Sequence, residues 1–366
     1  MRKFLGPLLR TTAGALASTT LAVLPVLAAP AAAGTGTPPS PEDTTDPAFA
    51  PRHHAVQHGG FVRAANASIS CRAPEAPACQ AVRAGRTAAN GDFDMFYVDV
   101  DNDPHTYNSS RAEVRVPEGG RVTYARLYWG GNLRAGEQKP PRDNGRVLIA
   151  EPGGTYKEVL ADTVEGHRVA GGADAFQASA DVTRLVRRSG SGLYTVAQVN
   201  TATGRSAVGA WGGWTLVVAY ENPAEPLREL ALWDGFEALD TPVDVRLTGM
   251  RVPAGAGGRV GLVAYDGDRG SVGETLTLSV GPRRTPVALR DSANPPDDVL
   301  NSTISEPGDV PARRVPAYAN TLGYDSDVFD LGRALRRGGD QPGFRLVSHA
   351  DAAWAGALFA AVDARK

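Results

Sequence analysis

Apolar and polar positions alternate with a period of two over most of the chain, and Gly, Pro, Asp and Asn break the alternation at short intervals. Val243-Asp-Val-Arg-Leu-Thr alternates strictly, as a strand with one wet face should. Trp214-Thr-Leu-Val-Val-Ala-Tyr is apolar throughout, as a strand covered on both faces should be. The pattern predicts strands at Met95–Asp101, Ala112–Val116, Arg121–Trp129, Arg146–Ala150, Tyr156–Ala161, Leu193–Val199 and Trp214–Glu221. It continues with Leu227–Trp233, Val243–Val252, Arg259–Asp266, Thr275–Val280, Arg345–Ser348 and Ala357–Val362. Turn signals such as Pro117-Glu-Gly-Gly, Asn222-Pro and Asp266-Gly-Asp separate them. Helical periodicity is short. Asp181-Val-Thr-Arg-Leu-Val-Arg-Arg has an Asp cap and ends at Ser189-Gly190, and a second helix is expected over Asp327–Leu335. No fixed-period repeat is present. The expected fold is all-β: one large antiparallel β-sandwich of jelly-roll type with one or two short helices.

The ends of the chain read differently. Arg2, Lys3 and Arg10 precede an apolar, small-residue stretch to Ala29, with cleavage sites after Ala28 or Ala33. That is the layout of a signal peptide over residues 1–33. Pro25 and the short apolar core argue against a membrane anchor. Residues 34–55, with Thr-Pro-Pro-Ser-Pro and few large apolar side chains, read as a disordered linker, and 56–366 as one domain. No lipoprotein cysteine, second spanning segment or sorting tail is visible, so the expected product is released or held non-covalently at the wall, and is not an integral membrane protein once cleaved.

Net charge is −2, which gives no basic face for nucleic acid. Cys71 and Cys79 are the two cysteines, and in an exported chain they are expected to form one disulfide closing a short loop.

Phe176-Gln-Ala-Ser-Ala-Asp-Val-Thr-Arg-Leu-Val, followed by Gly-Leu-Tyr-Thr-Val-Ala, resembles a stretch of galactose-binding-like jelly rolls that crosses from one sheet edge to the next. More broadly, seven segments fall in order from about residue 90 onward. They are Val122-Thr-Tyr-Ala-Arg-Leu-Tyr-Trp-Gly-Gly, Phe176 to Val186, Gly213-Trp-Thr-Leu-Val-Val-Ala-Tyr-Glu-Asn-Pro, Trp233-Asp-Gly-Phe, Val263-Ala-Tyr-Asp-Gly-Asp-Arg-Gly, Leu300-Asn-Ser-Thr-Ile-Ser and Leu322-Gly-Tyr-Asp-Ser-Asp-Val-Phe-Asp. Together they resemble the N-terminal β-sandwich module of large bacterial, actinobacterial-type cell-surface proteins, which often continue into immunoglobulin-like repeats. No activity is assigned to that family. The resemblance therefore implies surface exposure rather than a reaction, and the chain's ending after the module points to free secretion.

Three constellations carry candidate chemistry. Asp99, Asp101 and Asp103 follow a strand and could converge on calcium, although Pro104 occupies the position where an EF-hand loop needs Gly. The competing reading is turn and capping chemistry. Asp325-Ser-Asp327-Val-Phe-Asp330 and Asp266-Gly-Asp268 repeat the spacing. Trp129, Trp211, Trp214 and Trp233 sit beside glycines, either as an exposed face for stacking sugars or a partner protein, or as sandwich core, which is the stronger expectation. No Gly-x-Ser-x-Gly elbow, His-Glu-x-x-His or phosphate loop occurs. The expectation is a secreted, non-enzymatic surface protein, with a cell-wall glycan or surface protein as partner, no catalytic residues, and no cofactor beyond a candidate calcium. The alternative is an exported hydrolase whose site sequence does not reveal.

Overall fold

The structure is a computed structural model that describes residues 49–364 apart from 102, 282–284, 309–310 and 350–351. The expected signal peptide and the linker up to residue 48 lie outside the described residues. The remainder of the expected linker does not: Ala50–Ala67 is one continuous strand of 18 residues.

That strand organises the molecule. Its first half pairs antiparallel with Leu227–Ala238 and its second half with Gly212–Glu221. It thereby joins two groups of strands into one nine-stranded sheet. On one side run Leu227–Ala238, Trp354–Asp363, Gly258–Tyr265 and Tyr324–Asp330; on the other run Gly212–Glu221, Arg121–Asn132, Ala173–Asp181 and Thr163–Ala170.

The sheet is not open. Trp354–Asp363 and Ala173–Asp181 stand five positions apart in strand order, about 24 Å on a flat sheet at 4.8 Å per strand. Yet Gln177 Nε2 donates to the carbonyls of Gly235 and Gly356 at 2.9 and 3.0 Å, and Tyr265 Oη donates to Gln177 Oε1 at 3.0 Å. Thr215 and Tyr324 hydroxyls meet at 2.7 Å over the same number of strands. The two halves therefore face each other, folded about Ala50–Ala67. Gly356 permits this approach, because a Cβ there would stand 2.0 Å from Gln177 Oε1. Between the halves lies a core of Tyr128, Trp211, Phe236, Tyr265, Tyr324 and Phe359, with Ala and Val at the closest contacts.

Each half is covered on its outer face. A four-stranded sheet, Val243–Arg246, Pro342–Val347, Thr275–Val280 and Val287–Ala288, packs through Val245, Leu276, Phe344 and Leu346 onto one half. A five-stranded sheet, which includes Ser109–Val114, Gly192–Ala197 and Arg146–Ala150, packs through Val114, Val147, Tyr194 and Val196 onto the other. The expected all-β sandwich is present, as two sandwiches set back to back in four layers. The stretch from Phe176 passes from one sheet to another, but not between edges: its first strand lies one in from the edge and its second is the middle strand of the outer sheet. Ala173–Asp181 lies in the nine-stranded sheet, helix Thr183–Ser189 follows, and Gly192–Ala197 lies in the outer five-stranded sheet. Asp181 Oδ1 accepts the Thr183 N–H at 2.8 Å, but the N-cap is Val182, one residue later than expected, and it carries no side-chain cap.

Three α-helices are present among the described residues, Cys79–Arg83, Thr183–Ser189 and Gly332–Leu335, where one or two were expected. The helix expected over Asp327–Leu335 is a correction: Tyr324–Asp330 is an edge strand of the large sheet, and helix begins only at Gly332. Among the described residues no helix is long and apolar enough to cross a membrane.

Candidate functional site

At one end the inner core gives way to a cleft of about 460 Å³, which Phe61, Val328 and Phe359 share with that core. The floor is aromatic. Phe61 and Phe359 meet edge to face with ring centroids 5.6 Å apart. Gly261 makes room for the second ring, since a Cβ there would stand 2.0 Å from Phe359 Cζ.

Charged groups form the walls. Tyr220 Oη donates to both oxygens of Glu225 at 2.9 and 3.0 Å. Arg228 Nη1 donates to Glu225 Oε2 at 2.7 Å, and its Nε to Asp363 Oδ1 at 3.0 Å. Burial and the Glu225 carboxylate push the Tyr220 hydroxyl well above the ordinary phenol value, so it stays a donor at any physiological pH. Arg259 and Asp330 are direct cross-strand partners, both exposed at the cleft mouth. Among the described residues Arg259 forms no ion pair, while Asp330 Oδ1 accepts the Gly332 N–H at 2.9 Å. The walls thus combine a satisfied cluster with an uncommitted guanidinium. A volume of this size and mixed lining suits a small organic ligand or one or two sugar rings.

Of the candidate residues singled out in sequence, Asp330 alone lines this cleft. Trp129, Trp211 and Trp214 are fully buried, and Trp233 is 5% exposed. Trp129 Nε1 donates to the Asn144 carbonyl at 2.7 Å and Trp214 Nε1 to Ser110 Oγ at 2.8 Å. The aromatic binding face is therefore corrected: these rings are core, and the aromatic side chains that line the cleft are Phe61, Tyr220 and Phe359. Those three carried no signal beyond ordinary strand apolarity.

Cys71 and Cys79 are joined, with Cα atoms 5.8 Å apart. Both are fully buried and pack with Ile69, Val82, Met95 and Leu322.

The three aspartates after Met95–Tyr97 are used locally. Asp99 Oδ1 accepts from Ser109 Oγ at 2.7 Å. Asp101 Oδ1 accepts from the Asp103 N–H at 2.8 Å and Thr106 Oγ1 at 3.1 Å, and its other oxygen accepts from the Tyr156 hydroxyl. Asp103 Oδ1 accepts the His105 N–H at 2.9 Å. Each carboxylate serves its own turn, the competing reading given above, and among the described residues no three His, Cys, Asp or Glu groups stand in metal-holding geometry.

No protein-family model and no curated protein sequence matches the chain. Among solved structures, PNGase F, a glycosylasparaginase from Flavobacterium meningosepticum, superposes over 77% of this chain and 94% of its own, at 11% identity and a TM-score of 0.18. A peptide-N(4)-(N-acetyl-β-D-glucosaminyl)asparagine amidase covers 84% and 97% at 10% identity and a TM-score of 0.19. Scores this low mark no shared fold and carry no functional weight here.

Proposed function

We propose that this chain is an extracellular, non-enzymatic β-sandwich module that binds a cell-wall glycan in the cleft beside Phe61 and Phe359. The observation that carries the reading is the pairing of an aromatic floor with an uncommitted arginine at the mouth. Sugar rings offer a C–H face that stacks on aromatics and hydroxyls or carboxylates that a guanidinium can bind. The disulfide supports an oxidising compartment. The resemblance to a surface module supports the same placement.

A hydrolase reading would use the same cleft. Glu225, the carboxylate deepest in its wall, is held by Tyr220 and Arg228 together, an arrangement that suits shape and recognition more than proton transfer.

The test is calorimetric titration of purified wall polysaccharide fragments, paired with a reducing-end assay on the same mixtures. Saturable binding that weakens at least tenfold in Arg259→Ala, with no new reducing ends, supports the proposal. Binding that ignores Arg259→Ala moves the ligand elsewhere. Release of reducing ends that Glu225→Gln abolishes establishes the hydrolase instead.

A further inference from the structure

A second set of polar groups lies away from the cleft, buried beside the edge strand Tyr324–Asp330. Asp325 and Asp327 alternate along that strand and so share one face. Both are fully buried. Each has one oxygen engaged: Asp325 Oδ1 accepts the Thr303 N–H at 2.9 Å, and Asp327 Oδ1 accepts the Ser305 N–H at 2.8 Å. The other oxygens, Asp325 Oδ2 and Asp327 Oδ2, have no hydrogen-bond partner. A buried carboxylate oxygen without a partner carries a full desolvation cost, which a bound cation or a proton would offset.

The surroundings say what kind of group that is. Thr303 Oγ1 lies 2.8 Å from Asn301 Oδ1, 3.0 Å from Asn294 Oδ1 and 3.0 Å from Asp327 Oδ1. A hydroxyl has one proton, so it can satisfy one of these three acceptors. The amides cannot turn to supply another. Asn301 Nδ2 is committed to the Ala293 carbonyl at 2.8 Å, and Asn294 Nδ2 to Ser305 Oγ at 2.9 Å and Asp291 Oδ1 at 3.2 Å. Both side chains are therefore fixed with their oxygens inward.

Charge of both signs lies near the pair. Arg63 and Arg314 are the nearest cations acting on Asp327, but neither comes within 4 Å of a carboxylate oxygen of the pair, and Arg63 Nη2 is committed to the Ser305 carbonyl at 2.5 Å. Glu274 and Asp298 add negative charge on the Asp325 side. Burial holds both carboxyls above their ordinary range, and for Asp325 the neighbouring Asp327 adds to it.

We infer that Asp325, Asp327, Asn294, Asn301 and Thr303 form a structural calcium site. Calcium takes six to eight hard oxygen ligands in loose geometry, drawn from carboxylates, amide carbonyls and waters. Two carboxylates, two amide oxygens and a hydroxyl make such a set. Magnesium keeps several of its own waters and is the poorer match for a buried site. The ion would tie the 294–305 segment to the edge of the large sheet, which places it in fold stability rather than in the glycan cleft.

The experiment uses the chain without its signal segment, stripped with chelator and titrated with calcium chloride. Expected are one calcium per chain by native mass spectrometry and a melting temperature that rises by roughly 5 °C at a hundredfold excess over Kd. Magnesium should reproduce little of that rise. Asp325→Asn/Asp327→Asn keeps the oxygens that accept the Thr303 and Ser305 N–H groups, so it should fold and lose both responses. Thr303→Val, a milder change, should weaken binding at least tenfold. Asp99→Asn/Asp101→Asn/Asp103→Asn should leave calcium uptake intact. The inference fails if wild type takes up no calcium, if the aspartate triple variant abolishes uptake, or if the melting temperature follows pH while ignoring calcium, which would mean that shared protons fill the cage.

Discussion

At the scale of single residues, three positions give sharp expectations. Gly261 lies beneath the Phe359 ring, so Gly261→Ala must move that ring or the strand beneath it. The cost expected for overpacking is about 1–3 kcal/mol, read as a lower urea midpoint with an unchanged slope, and the same variant should blunt ligand binding in the cleft. His53 stacks on Tyr124 with ring centroids 4.3 Å apart, and its Nε2 is buried without a partner. Burial, then the neighbouring His54, lower its pKa from 6.5, against a smaller opposing pull from Asp181. The unfolded chain then binds a proton that the folded chain resists. This contribution is intact above about pH 6.5 and is lost as pH falls below it. His53→Phe should flatten that part of the melting-temperature profile; an identical acid slope in the variant would exonerate His53. Asp101 is the third case. Removing a carboxylate that serves Asp103, Thr106 and Tyr156 should destabilise the chain by about 1–3 kcal/mol, whereas Asp99→Ala at an exposed site should cost under about 0.5 kcal/mol.

At the scale of elements, legibility followed packing. The run from Trp214 to Tyr220 reads as a doubly covered strand because its side chains meet one core on each face, and the sheet places it there. The two cysteines read as a pair because their short spacing and compartment left few other roles. The failures have equally physical causes. Ala50–Ala67 holds three histidines, two adjacent glycines and several alanines, with Val56 and Val62 as its β-branched residues, so it carries little of the composition that marks a strand. Its stability comes from having a partner strand on both sides, which sequence does not display. Tyr324–Asp330 was hidden by its aspartates, which look like caps and turns, although Asp325 and Asp327 are buried against the 301–305 segment. The cleft was invisible for the same reason: Phe61, Tyr220 and Phe359 come from three distant strands, and only their meeting makes a site. The disulfide allows a test at this scale. Cys71→Ser/Cys79→Ser should cost roughly 2–3 kcal/mol by the loop-closure argument. Because Leu322 shares the buried cluster of the cysteines, hydrogen exchange should rise around Leu322 as well as in Ile69–Cys71, and a rise confined to the loop would contradict the packing described.

At the scale of the whole molecule, one strand holds the two halves in a single sheet. Deleting Ala50–His58 removes every pairing between it and Leu227–Ala238. That leaves a long apolar edge open, with Trp233 beneath it, and open edges of this kind seed association. The expected outcome is loss of the single cooperative melting transition and formation of soluble aggregates on size-exclusion chromatography. A monomer melting at the wild-type temperature would show that the halves are held by their facing core alone.

The position of Trp354–Asp363 sets the order in which the structure can be finished. It pairs with Leu227–Ala238 on one side and Gly258–Tyr265 on the other, so the last strand of the sheet in chain order is an interior one. A chain threaded from its N-terminal side can assemble hairpins and four strands of the five-stranded layer early, with Arg314–Val315 joining that layer later. It cannot close the facing halves until the residues around Trp354 arrive, because Gly356 and Phe359 belong to the inner core. Until then two strand edges stand apart with a gap between them, and the polypeptide remains extended over its longest-range contacts. Such a topology folds slowly and late. A final strand that acts as the keystone delays compaction until the strands on both sides of it are already in place.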